Sequence, residues 1–181
     1  MNNKVKPYSA LVLAMIFWAF SFIWFKTANK TFQPITIVSL RLFFSVILLT
    51  IYLILTKGFM KIRKDDFKLF LMLASFTPFF YFLGESYGLT YVSATVCSVL
   101  ISTIPVFVTI MAWLIFKEKL KMINYAGIII SFIGVLVFIL NKDGTISYNI
   151  KGLAFLLFAV LSAVGYNLSL SRLVGKYSPV Y

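Results

Sequence analysis

Histidine is absent from the 181 residues, and cysteine occurs once, as Cys97. The first absence removes the commonest metal ligand, the commonest general base and any imidazole proton relay. A single thiol, here inside an apolar run, excludes an intrachain disulfide. Carboxylates are scarce as well: five Asp and Glu stand against 17 Lys and Arg. Charged residues make up 12% of the chain, whereas soluble domains carry about a quarter. A metal-dependent or nucleophile-based enzyme needs groups that this sequence does not hold. Neither enzymatic activity nor a cofactor or metal is therefore expected.

What is present is apolar. Hydrophobic residues reach 61% and Phe alone 20 copies, with a mean hydropathy of +0.98. They fall in runs near bilayer length rather than in helical or strand alternation, which calls for lipid as the solvent. The sequence predicts an all-α polytopic membrane protein with six transmembrane helices: 8–28, 34–56, 67–90, 92–116, 122–140 and 151–173. Each can cross a core of about 30 Å at about 1.5 Å per residue. Lys4 and Lys6 precede the first run as in a signal peptide, but that run is long and aromatic and no small-residue cleavage site follows. It reads as a retained span. Pro34 opens the second helix, where its missing N–H is harmless; Pro78 and Pro105 fall inside the third and fourth and are expected to kink them.

The net charge of +12 does not point to nucleic acid, because the basic residues lie between apolar runs and not on a polar scaffold with stacking aromatics. Sorted by loop, 12 Lys and Arg fall on the side of the N-terminus and four on the other, with Arg41 inside a span. The positive-inside rule then predicts a multi-pass protein of the cell membrane with a cytoplasmic N-terminus. The near absence of a connection around Tyr91 predicts a tight outer hairpin between the third and fourth helices.

A shift of 145 lays Pro34 on Pro179 and sets the first helix against the sixth: apolar run with Ser and aromatics, basic residue, proline. Five helices separate the two starts, so the second copy would cross the membrane inverted, an arrangement typical of secondary transporters. Particular stretches add to this echo. They are Phe17-Trp18-Ala19-Phe20-Ser21 through Lys26, Pro34 with Arg41, and Gly88-Leu89-Thr90-Tyr91-Val92-Ser93-Ala94. Pro105, Glu118-Lys119-Leu120, and Gly127 with Gly134 follow in order. In this order and spacing they resemble the drug/metabolite transporter superfamily of the EamA type, with Ala19 where the family usually has glycine. The resemblance divides the chain into a five-helix repeat, 8–140, and the first helix of an inverted, truncated second repeat, 151–181. It implies a secondary transporter, or a fragment of one, exporting a small organic metabolite, amino-acid-like among others, by alternating access. The partners it implies are a solute, the bilayer, and either a second copy or a missing C-terminal half. The alternative is a scaffold or assembly subunit without transport.

Among the acidic residues, Asp65, Asp66, Glu118 and Asp143 read as solvated loop groups. Glu85 lies inside the third helix, at roughly the depth of Arg41 and Lys26. A lone charge at mid-membrane costs about 2.5–3.5 kcal/mol, so Glu85 is expected to pair with Arg41 or Lys26, with Lys26 by itself snorkelling to the interface. This set is either a structural ion pair or a functional site: proton or ammonium binding, or the anchor of an outer gate. In the fourth helix Thr95, Ser98 and Ser102 share a face that suits close helix packing or a cavity wall. Trp18 and Ser21 on the first helix, Tyr81 beside Glu85, and Asn167 on the sixth complete the candidate substrate lining: Trp18, Ser21, Tyr81, Glu85, Ser98, Ser102 and Asn167. Gly127 and Gly134 are expected to mark close helix contact, a dimer seam included.

Overall fold

The computed structural model describes residues 5–58, 62–117, 120–140, 148–174 and 176–177. Glu118, Lys119, Asp143 and Pro179, all used in reading the sequence, lie outside them. The described chain forms helices α1 (Val5–Ala28), α2 (Pro34–Thr56), α3 (Phe67–Ala74), α4 (Tyr81–Tyr91), α5 (Ala94–Ile101), α6 (Ile104–Phe116), α7 (Met122–Ile139) and α8 (Ile150–Ser171). Six stretches are long and apolar enough to cross a membrane, because α3 with α4 and α5 with α6 each make one span. Leu55, Val137 and Met122 are among many large apolar side chains left more than two-thirds exposed. In water such a surface would aggregate; against lipid tails it is matched. The chain is an all-α, multi-pass membrane protein.

Local chemistry sets the helix limits. Pro34 stands at the first turn of α2, and the helix ends where Lys57 turns left-handed and Gly58 N–H donates back to the Leu53 carbonyl (2.9 Å). Between α3 and α4 the turns Ser75–Phe80 contain Pro78, and Thr77 leaves helical geometry altogether (φ −137°, ψ 122°). Pro105 has no N–H for the Ile101 carbonyl, and the fourth span divides there into α5 and α6. The expected kink in the third span is thus a full interruption, whereas in the fourth Ser102 and Thr103 keep right-handed helical angles and only the regular hydrogen bonding lapses. The hairpin at Tyr91 is as tight as expected: Val92 is extended, and the Ser93 hydroxyl accepts from Val96 N–H (3.3 Å) to start α5.

The centre of the molecule is the seam between α4 and α8. Lipid tails are as apolar as leucine, so nothing resembling the hydrophobic effect pushes spans together, and close backbone approach must do the work. Gly84 and Gly88 on α4 meet Gly152, Leu156 and Ala159 on α8 at such range that a Cβ on Gly84 would lie 2.7 Å from the Phe155 carbonyl oxygen. Gly165, near the other end of α8, faces the ring of Phe76. Phe155 stacks on Tyr87 and Tyr91 (centroids 5.4 and 6.1 Å). The glycines expected to mark close helix contact make none within the described chain: a Cβ at Gly127 or Gly134 would meet nothing among the described residues within 4 Å. The correction has a physical source, since a glycine shows that a backbone can be approached but not that anything approaches it.

Candidate functional site

Two features occupy different levels of the bundle: a charged cluster toward the far side, opposite the N-terminus, and a cleft nearer its middle. At about 1.5 Å per residue, Glu85 lies roughly 9 Å inside the far end of α4 and Arg41 roughly 10 Å inside the far end of α2. Glu85 is 1% exposed. Tyr81, one turn earlier on α4, donates its hydroxyl to Glu85 Oε1 (3.2 Å), and Arg41 Nη1 stands 3.8 Å from Oε2. The Arg41 guanidinium is held between two rings, 3.8 Å from the centroid of Phe82 and 4.8 Å from that of Phe25. Its Nη1 is buried with no hydrogen-bond partner among the described residues. The ion pair is long, keeps one guanidinium nitrogen without a hydrogen bond, and is flanked by aromatic faces that favour the cation.

Lys26 does not snorkel and does not pair with Glu85. Its ammonium donates to the carbonyls of Leu89 (2.6 Å) and Val92 (2.7 Å), where α4 ends and leaves acceptors without helical donors. Asn29 Nδ2 adds a bond to the Ser86 carbonyl (3.0 Å). Together they clasp the far end of α1 to that of α4. Replacing Lys26 with Met keeps the stem and removes the charged donor. We expect a loss of about 2 kcal/mol of stability, read as a lower melting temperature in detergent; an unchanged midpoint would show that the clasp is idle.

The cleft has a volume of about 510 Å³ and is lined by Met15, Trp18, Ala19 and Phe22 of α1, by Ser98, Ile101, Ser102, Ile104 and Pro105 of the fourth span, and by Asn167 of α8. It brings together Trp18, Ser98, Ser102 and Asn167 from the sequence-derived set. Ser21 turns aside and donates to the Trp18 carbonyl (2.6 Å), while Tyr81 and Glu85 are buried in the packed layer between cleft and far side. Thr95 is exposed and outside the lining. Met15, Phe22 and Ile101 were not singled out by sequence reading. Aliphatic and aromatic residues are everywhere in this chain, so only their placement distinguishes them. Ser98 and Ser102 donate to the carbonyls of Thr95 (2.9 Å) and Val99 (2.7 Å), and Asn167 Nδ2 to that of Ala163 (2.8 Å). The single hydroxyl donors of Ser98 and Ser102 are thus engaged and leave oxygen lone pairs free, while the Asn167 amide keeps its carbonyl oxygen and one further N–H.

Membrane helices, an interrupted third and fourth span and a central cleft can be set beside known proteins. The sequence profile of the EamA-like transporter family matches residues 5–140. The chain belongs to the EamA-like transporter family. An "Uncharacterized transporter" of Archaeoglobus fulgidus is 31% identical over 97% of this chain and 61% of its own length. The "Uncharacterized transporter YcxC" of Bacillus subtilis is 25% identical over 97% of this chain and 57% of its own, and YdfC of the same organism 29% over 88% and 52%. The EamA-like chain thus spans a little over half the length of these relatives. No solved structure matches it. The family places the chain among membrane transporter proteins, with lipid around its spans.

Proposed function

We propose that the chain is part of a secondary transporter that moves a small organic solute, amino-acid-like in size and polarity, across the cell membrane by alternating access. The observation that carries this reading is the cleft: its volume falls in the usual range for small-molecule sites, roughly 300–1,000 Å³, and it combines apolar walls with a few convergent polar groups. Trp18 offers an indole face, and Ser98, Ser102 and Asn167 offer acceptors, a set suited to an ammonium or hydroxyl group on a compact apolar body. Arg41 and Glu85 form the gate on the far side, with Tyr81 steadying Glu85, while Lys26 holds α1 to the end of α4 beside it. The excess of basic residues on the N-terminal side supports a cytoplasmic N-terminus, and the family resemblance favours export as the working direction. Residues 8–140 form one five-helix repeat and 151–181 begin an inverted second.

The test uses the full-length protein in proteoliposomes with a panel of radiolabelled common amino acids. Asn167→Leu removes an acceptor from the cleft and is expected to weaken apparent solute affinity roughly tenfold, with insertion unchanged. Should Asn167→Leu and Ser102→Val both transport like the parent, the cleft is not the binding site. If no solute of the panel moves, the amino-acid-like assignment falls.

A further inference from the structure

Asp66 was expected to be a solvated loop carboxylate, like its neighbour Asp65. Asp65 is exposed, but Asp66 is 8% exposed and fully engaged. It closes the short turn Lys64–Asp66 directly before α3. Tyr177, past the end of α8, donates its hydroxyl to Asp66 Oδ2 (2.8 Å), and Lys176 Nζ lies 3.2 Å from Oδ1. The same Tyr177 oxygen accepts from Arg63 N–H (3.2 Å), and its ring meets Phe70 edge-on with centroids 5.2 Å apart. The start of the third span and the end of the sixth are therefore tied on the side of the N-terminus, at the end of the bundle opposite the Arg41–Glu85 pair.

The position of this tie gives it a consequence. The end of α8 has the cleft, with Asn167 and α1, on one side and α3 on the other. Midway along, Thr77 interrupts the third span, so α3 with Asp66 and α4 with Glu85 are separate levers joined at a non-helical residue. The cleft lies open between α1 and this end of α8. We propose that Asp66, Lys176 and Tyr177 form a latch that stabilises this open-cleft conformation, and that its release lets the end of α8 swing toward α1 and narrow the cleft. The proposal rests on the transport reading for its role in a cycle, but the movement can be measured without transport.

Spin labels on the full-length protein in nanodiscs provide that measurement. Cysteines replace Lys68 and Arg172 in one protein and Tyr8 and Arg172 in another, both with Cys97→Ala. Tyr177→Phe and Asp66→Asn are introduced into each, and Asp65→Asn serves as the control. The expected result is a longer 68–172 distance and a shorter 8–172 distance, with the population of the released form raised about threefold or more in both variants and unchanged in the control. Unchanged distributions in Tyr177→Phe and Asp66→Asn overturn the latch. A longer first distance without a shorter second one also overturns it, since the contact would then be only a structural tie. Failure of the parent protein to transport would count against the transport reading alone.

Discussion

Glu85→Gln is expected to reduce gradient-driven transport by roughly tenfold or more, the scale of a coupling free energy of about 1–3 kcal/mol, while the protein still inserts and folds. Glutamine has the size of glutamate and can still accept from Tyr81, so the packing of Phe22, Tyr81 and Cys97 around it is retained. What disappears is the charge that faces Arg41 at 3.8 Å. If the pair opens and closes during the cycle, that charge is what the two conformations treat differently, and a neutral side chain leaves no basis for coupling. The double variant Arg41→Met/Glu85→Met separates the structural role from the functional one. Removing both charges together is often neutral for stability, whereas removing one strands the other. The double variant should therefore melt near the parent and remain transport-deficient. Normal coupled transport by Glu85→Gln would reduce the pair to a structural contact.

The glycines predict a second large effect, on stability. At Gly84 an added methyl would lie 2.7 Å from the Phe155 carbonyl oxygen and 2.9 Å from Ala159 N, both backbone atoms that can move only if α8 moves. Gly84→Ala should cost about 1–3 kcal/mol or more through overpacking, and Gly84→Leu should prevent α4 and α8 from closing. Gly88→Ala meets Leu156 Cδ2 and Cγ at 2.6 and 2.7 Å, atoms of a flexible side chain, and should cost less. Gly127→Ala and Gly134→Ala meet no neighbour and should gain about 0.5–1 kcal/mol from helix propensity alone. Thermal unfolding in detergent ranks the variants. If Gly84→Ala proves as stable as Gly127→Ala, the close seam between α4 and α8 is wrong.

The solvent, the number of spans and nearly all their limits are legible in the order of residues, because each follows from a run of one residue class and its punctuation. The second span begins at Pro34 and ends at Thr56 as expected, and the hairpin at Tyr91 follows from the lack of residues to build anything longer. The order of residues also brought Tyr81 and Glu85 together, since residues four apart share a helix face whatever surrounds the helix. It placed Arg41 at the same depth by counting along a rod.

Which partner each polar group takes is legible only in the folded chain. Lys26 and Arg41 were equivalent cations near Glu85 until the end of α4 presented free carbonyls to one of them. Asp65 and Asp66 are alike in the chain, yet the end of α8, more than a hundred residues away, covers just one of them. Gly84 and Gly127 differ in nothing but what stands opposite. Spans form from local composition, but contacts between spans depend on how helices are rotated and tilted. In a bilayer those are set by close packing and hydrogen bonding, which have no signature in any single run of sequence.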